Sequence, residues 1–326
     1  MINIIGATHP GQREHNEDCF AVDMQLGLGL VADGMGGYAC GEVASELVKT
    51  TVEAAAANNE GLREALARAH AVVKATAEAD PDKQGMGSTA IAFKLQGLDY
   101  DIAWVGDSRA YLWDGKAMLK QITRDHSYVE NLLASGTISY EEAINHPNRN
   151  LITQAVGVSG EDGLEIGVAS GRLAPGQQLM ICSDGLVDEV LDYDIAKLMA
   201  QAQTPDEALN SLVRAAVVAG GHDNITVVIA TVQEDADGSQ PAIEPEVIRT
   251  TNLNQQPEQP TQPRPAPSAD ITRMGGSAPL YDDTDETLNA QGLWESVVDF
   301  VVLNIPALSI AVMLIVAMVV GLFYLA

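Results

Sequence analysis

Apolar residues gather in short, strand-length runs along the larger, N-terminal part of the chain. Ile2–Ala7, Leu28–Ala32, Thr89–Lys94, Tyr100–Val105, Gln178–Cys182 and Ile225–Val232 are rich in Val, Ile and Leu and are punctuated by Gly or Asp. Apolar positions take helical spacing in the Ala-rich stretches 42–57 and 61–79, and again over 205–219. The strands cluster and the helices come in pairs. That order predicts α+β layering, not a doubly wound parallel sheet, in one unit spanning residues 1–233.

Beyond residue 233 the pattern stops. Residues 234–292 form an acidic stretch dense in Pro and Gln, QQPEQPTQPRPAP at its centre, with almost no aliphatic periodicity. Such a composition cannot bury enough apolar surface to offset its ordering entropy, so a disordered linker is expected. After a juxtamembrane segment, 293–304, the stretch Ile305–Ala326 carries no charged residue and as a helix would be about 33 Å long. That length and composition predict a single transmembrane helix acting as a C-terminal anchor. The N-terminus, MINIIGATHPGQREHNED, has no basic segment followed by a long apolar one, so the folded domain is expected in the cytoplasm.

A formal net charge of −27 argues against a nucleic-acid partner, since phosphate backbones call for Lys and Arg surfaces. Cys19, Cys40 and Cys182 are too few and too scattered for a disulfide framework or a zinc site, and read as thiols in a reducing compartment. Most of the acidity serves a solvated surface, yet clustered carboxylates also ligate hard divalent cations.

Five polar motifs interrupt the apolar runs: Arg13-Glu14-His15-Asn16-Glu17-Asp18, Asp33-Gly34-Met35-Gly36-Gly37, Gly106-Asp107-Ser108-Arg109, Ser183-Asp184-Gly185 and Gly221-His222-Asp223-Asn224. Asp33, Asp107 and Asp184 each close an apolar run, in LGLVADG, DIAWVGD and QLMICSDG. Buried strands would deliver these side chains to one rim of a sheet, where the carboxylates repel one another unless cations neutralise them. Taken singly, each motif has a plainer account. Asp-Gly after a strand is common turn chemistry, Arg13 also reads as a surface cation, and Asp107 as a turn residue or a partner of Arg109. His15, His126 and His222 lack metal-ligand spacing and read as surface or loop histidines.

Taken together, and with Gly87-Ser88-Thr89-Ala90, Thr123-Arg124-Asp125-His126-Ser127 and Leu151-Ile152-Thr153-Gln154-Ala155-Val156-Gly157 following in order, residues 3–232 resemble the type-2C family of metal-dependent protein phosphatases in its compact bacterial form. The resemblance implies an αββα four-layer sandwich, two antiparallel sheets flanked by helix pairs. It implies two Mn²⁺ or Mg²⁺ ions, with Asp33 bridging them, Asp184 and Asp223 completing one site, and Glu17 with the Gly34 carbonyl serving the other. Asp18 would orient metal-bound water, and Asp107 with Asp184 matches a possible third ion. All-oxygen ligands suit those ions and would suit zinc poorly.

The implied reaction is hydrolysis of phosphoserine and phosphothreonine in proteins by a hydroxide bridging the two ions, with no phosphoenzyme. The Arg13 fork would grip phosphate oxygens bidentately. Phosphoproteins, and a Ser/Thr kinase or its substrates, are the implied partners. Met35 stands where many eukaryotic relatives carry a histidine able to protonate the leaving oxygen, which leaves the general acid unassigned. Residues 128–150 correspond to the family's flap and contain no motif that names a substrate. Two other functions compete: an inactive, phosphatase-like docking module, disfavoured because the expected carboxylates are all present, and a hydrolase of small phosphate esters. No Walker lysine motif supports a nucleotide site.

Overall fold

The computed structural model describes residues 2–36, 40–158, 163–232 and 249–252, all within one compact unit, Met1–Thr261. In chain order the first half gives β1 (Ile2–His9), β2 (Asp18–Asp23), β3 (Leu28–Met35), α1 (Cys40–Ala57), α2 (Leu62–Ala79), β4 (Gly87–Ser88), β5 (Ala90–Gln96), β6 (Asp99–Val105), β7 (Arg109–Trp113) and β8 (Met118–Gln121). There follow α3 (Tyr128–Ala134), α4 (Tyr140–Ile144), β9 (Gly167–Arg172), β10 (Gln178–Cys182), α5 (Asp184–Val187), α6 (Asp192–Gln201), α7 (Pro205–Ala219), β11 (Ile225–Val232) and β12 (Arg249–Asn252).

These strands make two antiparallel sheets, one ordered β1-β11-β10-β7-β8-β12 and the other β2-β3-β5-β6-β9, with β4 paired to β3. Three apolar clusters fill the gaps between layers. One lies between α1–α2 and the second sheet, one between the two sheets, and one between the first sheet and α6–α7. The expected four-layer αββα order is therefore present.

The layering explains why the central strands read as unbroken apolar runs. Side chains alternate across a strand, and here both faces are covered. On β3, Leu28, Leu30 and Ala32 face the helix-side cluster while Val31 faces the cluster between the sheets. On β11, Ile225, Val227 and Ile229 face α6–α7 while Val228 and Ala230 face inward. Helix starts are set by local chemistry: Thr204 accepts a hydrogen bond from the Glu207 amide at 3.2 Å, and Pro205 opens α7, where a missing N–H costs nothing.

Within the stretch expected as linker, Arg249–Asn252 pairs with β8 as an edge strand. The remainder of 234–292, the juxtamembrane segment and the apolar stretch 305–326 lie outside the described residues. Among the described residues no helix is long and apolar enough to cross a membrane.

Candidate active site

The predicted acidic residues meet at one rim of the sandwich. Asp18 opens β2 directly opposite Asp33 on β3 in the antiparallel register. Asp184 follows β10 at the start of α5, and Asp107 sits in the turn joining β6 to β7. Asp223 and Glu17 come from the loops before β11 and β2. Their charges couple one to the next, as a row: Glu17 and Asp18 feel Asp223, and Asp33 and Asp184 feel Asp18 on one side and Asp107 on the other.

Their mutual repulsion is visible in their acidities. Burial raises Asp33 well above the carboxylate range, and the charges of Asp18, Asp184 and Asp107 push it further. Asp184 is likewise raised well above that range by burial, then by Asp107, Asp188 and Asp223. Burial with the nearby Asp125 brings Asp107 to about 7, against the opposing effect of Arg109. Asp18 rises to about 6 through burial, although two hydroxyls hydrogen-bond to it. Glu17 is raised by burial and eased downward by a hydrogen bond from the Gly41 backbone.

Backbone and hydroxyl contacts hold the row in place, and the braces Ser88, Thr89, Ser108, Ser183, Asn224 and Thr226 are residues to which the sequence motifs assigned no task. The Asp33 amide donates to Thr89 Oγ1 at 3.1 Å, and its carbonyl accepts from the Thr89 amide at 2.8 Å and from Ser88 Oγ at 3.0 Å. Thr89 is in turn joined to Ser108 by a 2.8 Å hydroxyl contact, which ties β4–β5 to the Asp107 turn. Asp18 Oδ2 accepts from Ser183 Oγ at 2.9 Å and Thr226 Oγ1 at 2.6 Å. Asn224 fastens the two loops, accepting from the Glu17 amide at 2.7 Å and donating to the Pro10 and His15 carbonyls at 3.0 Å. Gly34 is required at its position, since a Cβ would collide with the Gly41 carbonyl. Its amide donates to the Glu17 carbonyl at 3.1 Å, so Glu17 and Gly34 are locked side by side.

Of the two plainer accounts of Asp107, the turn holds and the bond to Arg109 does not: the Arg109 guanidinium grips Asp125, at 2.7 Å from Nη2 to Oδ2 and 2.9 Å from Nε to Oδ2. His126 lies in a loop, as one of its two readings had it, but is buried: it is 9% exposed, stacks on Trp104 at 6.2 Å and accepts the Gly106 amide on Nδ1 at 3.2 Å. That bond braces the residue before Asp107, where a φ of +103° calls for glycine. His15 and His222 are exposed, as expected. Met35 lies against Gly87, an apolar contact with no proton to give.

Arg13 is exposed and turned to Asp223, with Nη2 to Oδ2 at 2.8 Å and Nε to the His222 carbonyl at 3.0 Å. Among the described residues no group of three or more His, Cys, Asp or Glu side chains is placed to hold a metal ion by itself. Hard cations do not need one, because Mg²⁺ keeps several waters and takes one or two carboxylates. The donors fit such ions. All are oxygens, and Asp18 Oδ1 and Asp184 Oδ1 are buried with no hydrogen-bond partner among the described residues. Orphaned acceptors amid like charges are a costly arrangement that a divalent cation relieves.

Comparison with known proteins agrees with this geometry. The family model for protein phosphatase 2C matches residues 8–131. The serine/threonine phosphatase stp of Listeria monocytogenes is 35% identical over 230 residues, 67% of this chain and 90% of its own. The crystal structure of the Mycobacterium tuberculosis serine/threonine phosphatase PstP/Ppp superposes with a TM-score of 0.66 at 34% identity, over 72% of this chain and 99% of that one. The PstP catalytic domain in complex with two manganese ions gives a TM-score of 0.64 at 33% identity, over 72% and 99%. Fold and site together define a metal-dependent protein phosphatase. The chain belongs to the protein phosphatase 2C family.

Proposed function

We propose that this chain hydrolyses phosphoserine and phosphothreonine in proteins at the carboxylate row centred on Asp33. The observation that carries the reading is the convergence of Asp18, Asp33, Asp107 and Asp184, each with its acidity weakened by burial or by the others' charge. Two Mn²⁺ or Mg²⁺ ions held there supply a water-derived nucleophile near neutral pH and draw charge from the phosphoryl oxygens. Asp33 would be shared by both ions, with Asp184 and Asp223 on one side and Glu17 with the Gly34 carbonyl on the other. Asp107 with Asp184 is proposed for a third ion, supported by the repulsion between their charges.

The chain's own groups do the rest. Asp18 keeps Oδ2 occupied by Ser183 and Thr226, so its unpartnered Oδ1 is the atom placed to take the proton that attacking water loses. Arg13 stands at the exposed end of the row, where its fork would bind two phosphate oxygens and fix the group for in-line attack. The test is phosphate release from a phosphothreonine peptide by the full chain, with Mn²⁺ and with chelator. Metal-dependent turnover is expected, and none with a folded, Mn²⁺-loaded chain would sink the reading. Arg13→Lys is expected to lower kcat/KM by roughly 10- to 100-fold, the worth of a charged hydrogen bond and its geometry. Near-parent kinetics would remove Arg13 from the phosphate site.

For residues 305–326 we propose a membrane anchor that leaves the catalytic domain in the cytoplasm, opposite a Ser/Thr kinase. The uncharged, helix-length composition supports the anchor, and tethering would concentrate the enzyme near membrane-associated phosphoproteins. Fractionated cells should hold the full chain in the membrane pellet and a chain lacking 305–326 in the supernatant. The full chain in the supernatant would remove the anchor.

A further inference from the structure

Beside Asp107 and Asp184 the flap helices α3–α4 and the α5–α6 turn enclose a cavity of about 140 Å³. That is below the roughly 300 Å³ of ordinary small-molecule pockets and suits a single long side chain. Its two halves differ in chemistry. Bulky apolar side chains stand unusually open around it: Leu191 is 61% exposed, Tyr140 50% and Ile144 43%. Such a cluster, on the rim of a reaction site, marks a contact surface.

Carboxylates line the other half. Asp125 is taken by Arg109, and Glu130 lies 3.4 Å from Arg124. Asp188 and Asp192 have less: the Asn150 amide at 3.1 Å for one, the Tyr111 hydroxyl at 3.0 Å for the other. Arg149, exposed on the flap, is the cation whose charge reaches Asp188, while half-buried Arg109 acts on both. A purely apolar occupant would strip water from these carboxylates without replacing it, and an acidic one would be repelled. Arginine and lysine carry an aliphatic stem and a cationic end, and match both halves.

We propose that this cavity receives an arginine or lysine side chain close in sequence to the phosphorylated residue of the substrate, its stem on Ile144 and Leu191 and its head at Asp188 and Asp192. The inference rests on the phosphoprotein phosphatase reading. The occupant is the substrate's own chain, because the cavity adjoins the reaction site at Asp107 and Asp184, which stay with the proposed third ion while Asp188 and Asp192 take the substrate's cation. The substrate cation replaces Arg149 as the countercharge of Asp188.

The test uses the full chain with Mn²⁺ and phosphothreonine peptides carrying arginine, norleucine or glutamate in turn at each flanking position. At one position kcat/KM should fall in the order arginine, norleucine, glutamate, with a spread on the order of tenfold for one partly desolvated charge contact. The double variant Asp188→Asn/Asp192→Asn should erase the arginine advantage over norleucine. Leu191→Ser should lower arginine and norleucine peptides alike relative to glutamate. Because each preference is a ratio within one variant, changes in folding or metal loading cancel. Equal turnover of the three peptides at every position, norleucine matching arginine, or an arginine advantage that survives the double variant overturns the cavity assignment while leaving the phosphatase in place. Absence of turnover on every peptide overturns both.

Discussion

Asp33→Asn is expected to lower phosphopeptide turnover by at least ~10³-fold while leaving the domain folded. The size of the loss follows from the position of Asp33 in the middle of the row, next to Asp18 and within the field of Asp184 and Asp107. A carboxylate shared by two cations supports the neutralisation of phosphoryl charge worth several kcal/mol, and each ~1.4 kcal/mol is tenfold in rate. Folding should survive because the scaffold holds the residue by its backbone, through Thr89 and Ser88, and an asparagine amide can still hydrogen-bond to the neighbouring Asp18 and Asp184 carboxyls. Asparagine keeps the shape and removes a charge that burial already disfavours. Steady-state kinetics with Mn²⁺, Mn²⁺ titration calorimetry and a thermal melt check the three parts separately. Activity within tenfold of the parent chain, or a collapsed melt, would contradict the assignment.

The sheet centres were legible because their side chains are buried on both faces. Leu28–Ala32 has no polar side chain, and Ile225–Val232 has only two β-branched threonines among its aliphatic residues. The strands passed over are those whose apolar signal is short or one-sided. β9, GVASGR, is half-buried or exposed at every position but Gly171, at a sheet edge, and β7 and β8 are five and four residues long. The helices α3–α6 are short or start in acidic turns, which reads as loop chemistry.

At the site, Asp33, Asp107 and Asp184 were visible because each closes an apolar run, but their convergence needed the two sheets to stack, since β3 and β6 belong to one sheet and β10 to the other. The hydroxyl braces were less visible. Thr226 sits inside ITVVIATV, where a β-branched residue is ordinary strand filling, yet its hydroxyl holds Asp18. Arg109 and Asp125 are 16 residues apart and meet beyond the β7–β8 pairing, so spacing could offer only the nearer Asp107 as an alternative partner. His126 shows the same limit: burial against Trp104 is a property of the fold and leaves no trace in residue spacing.

The cost of assembling the row without cations sets the second large effect, a dependence of stability on pH and Mn²⁺. An unfolded Asp titrates near 3.9, whereas burial brings folded Asp18 to about 6 and Asp107 to about 7 and raises Asp33 and Asp184 well above the carboxylate range. Between these limits the folded chain binds more protons than the unfolded one, so the row's contribution to stability falls as pH rises. Its penalty is absent below about pH 4 and grows through pH 7 and beyond. In chelator, Asp33→Asn should therefore melt higher than the parent chain, by a margin that widens from pH 5 to pH 8. Mn²⁺ binds the ionised folded row and reverses the effect for the parent alone. At about 100 times its dissociation constant it adds about 2.7 kcal/mol, or roughly 5–10 °C for a domain of this size. The Mn²⁺ shift should be largest at the alkaline end, where the carboxyls are charged, and shrink at pH 5, where protons compete. Calorimetric melts of parent and variant at both pH values decide it. A parent Tm indifferent to Mn²⁺ at pH 8, or a variant margin that narrows with rising pH, would mean that these carboxyls are not held together as a cation site.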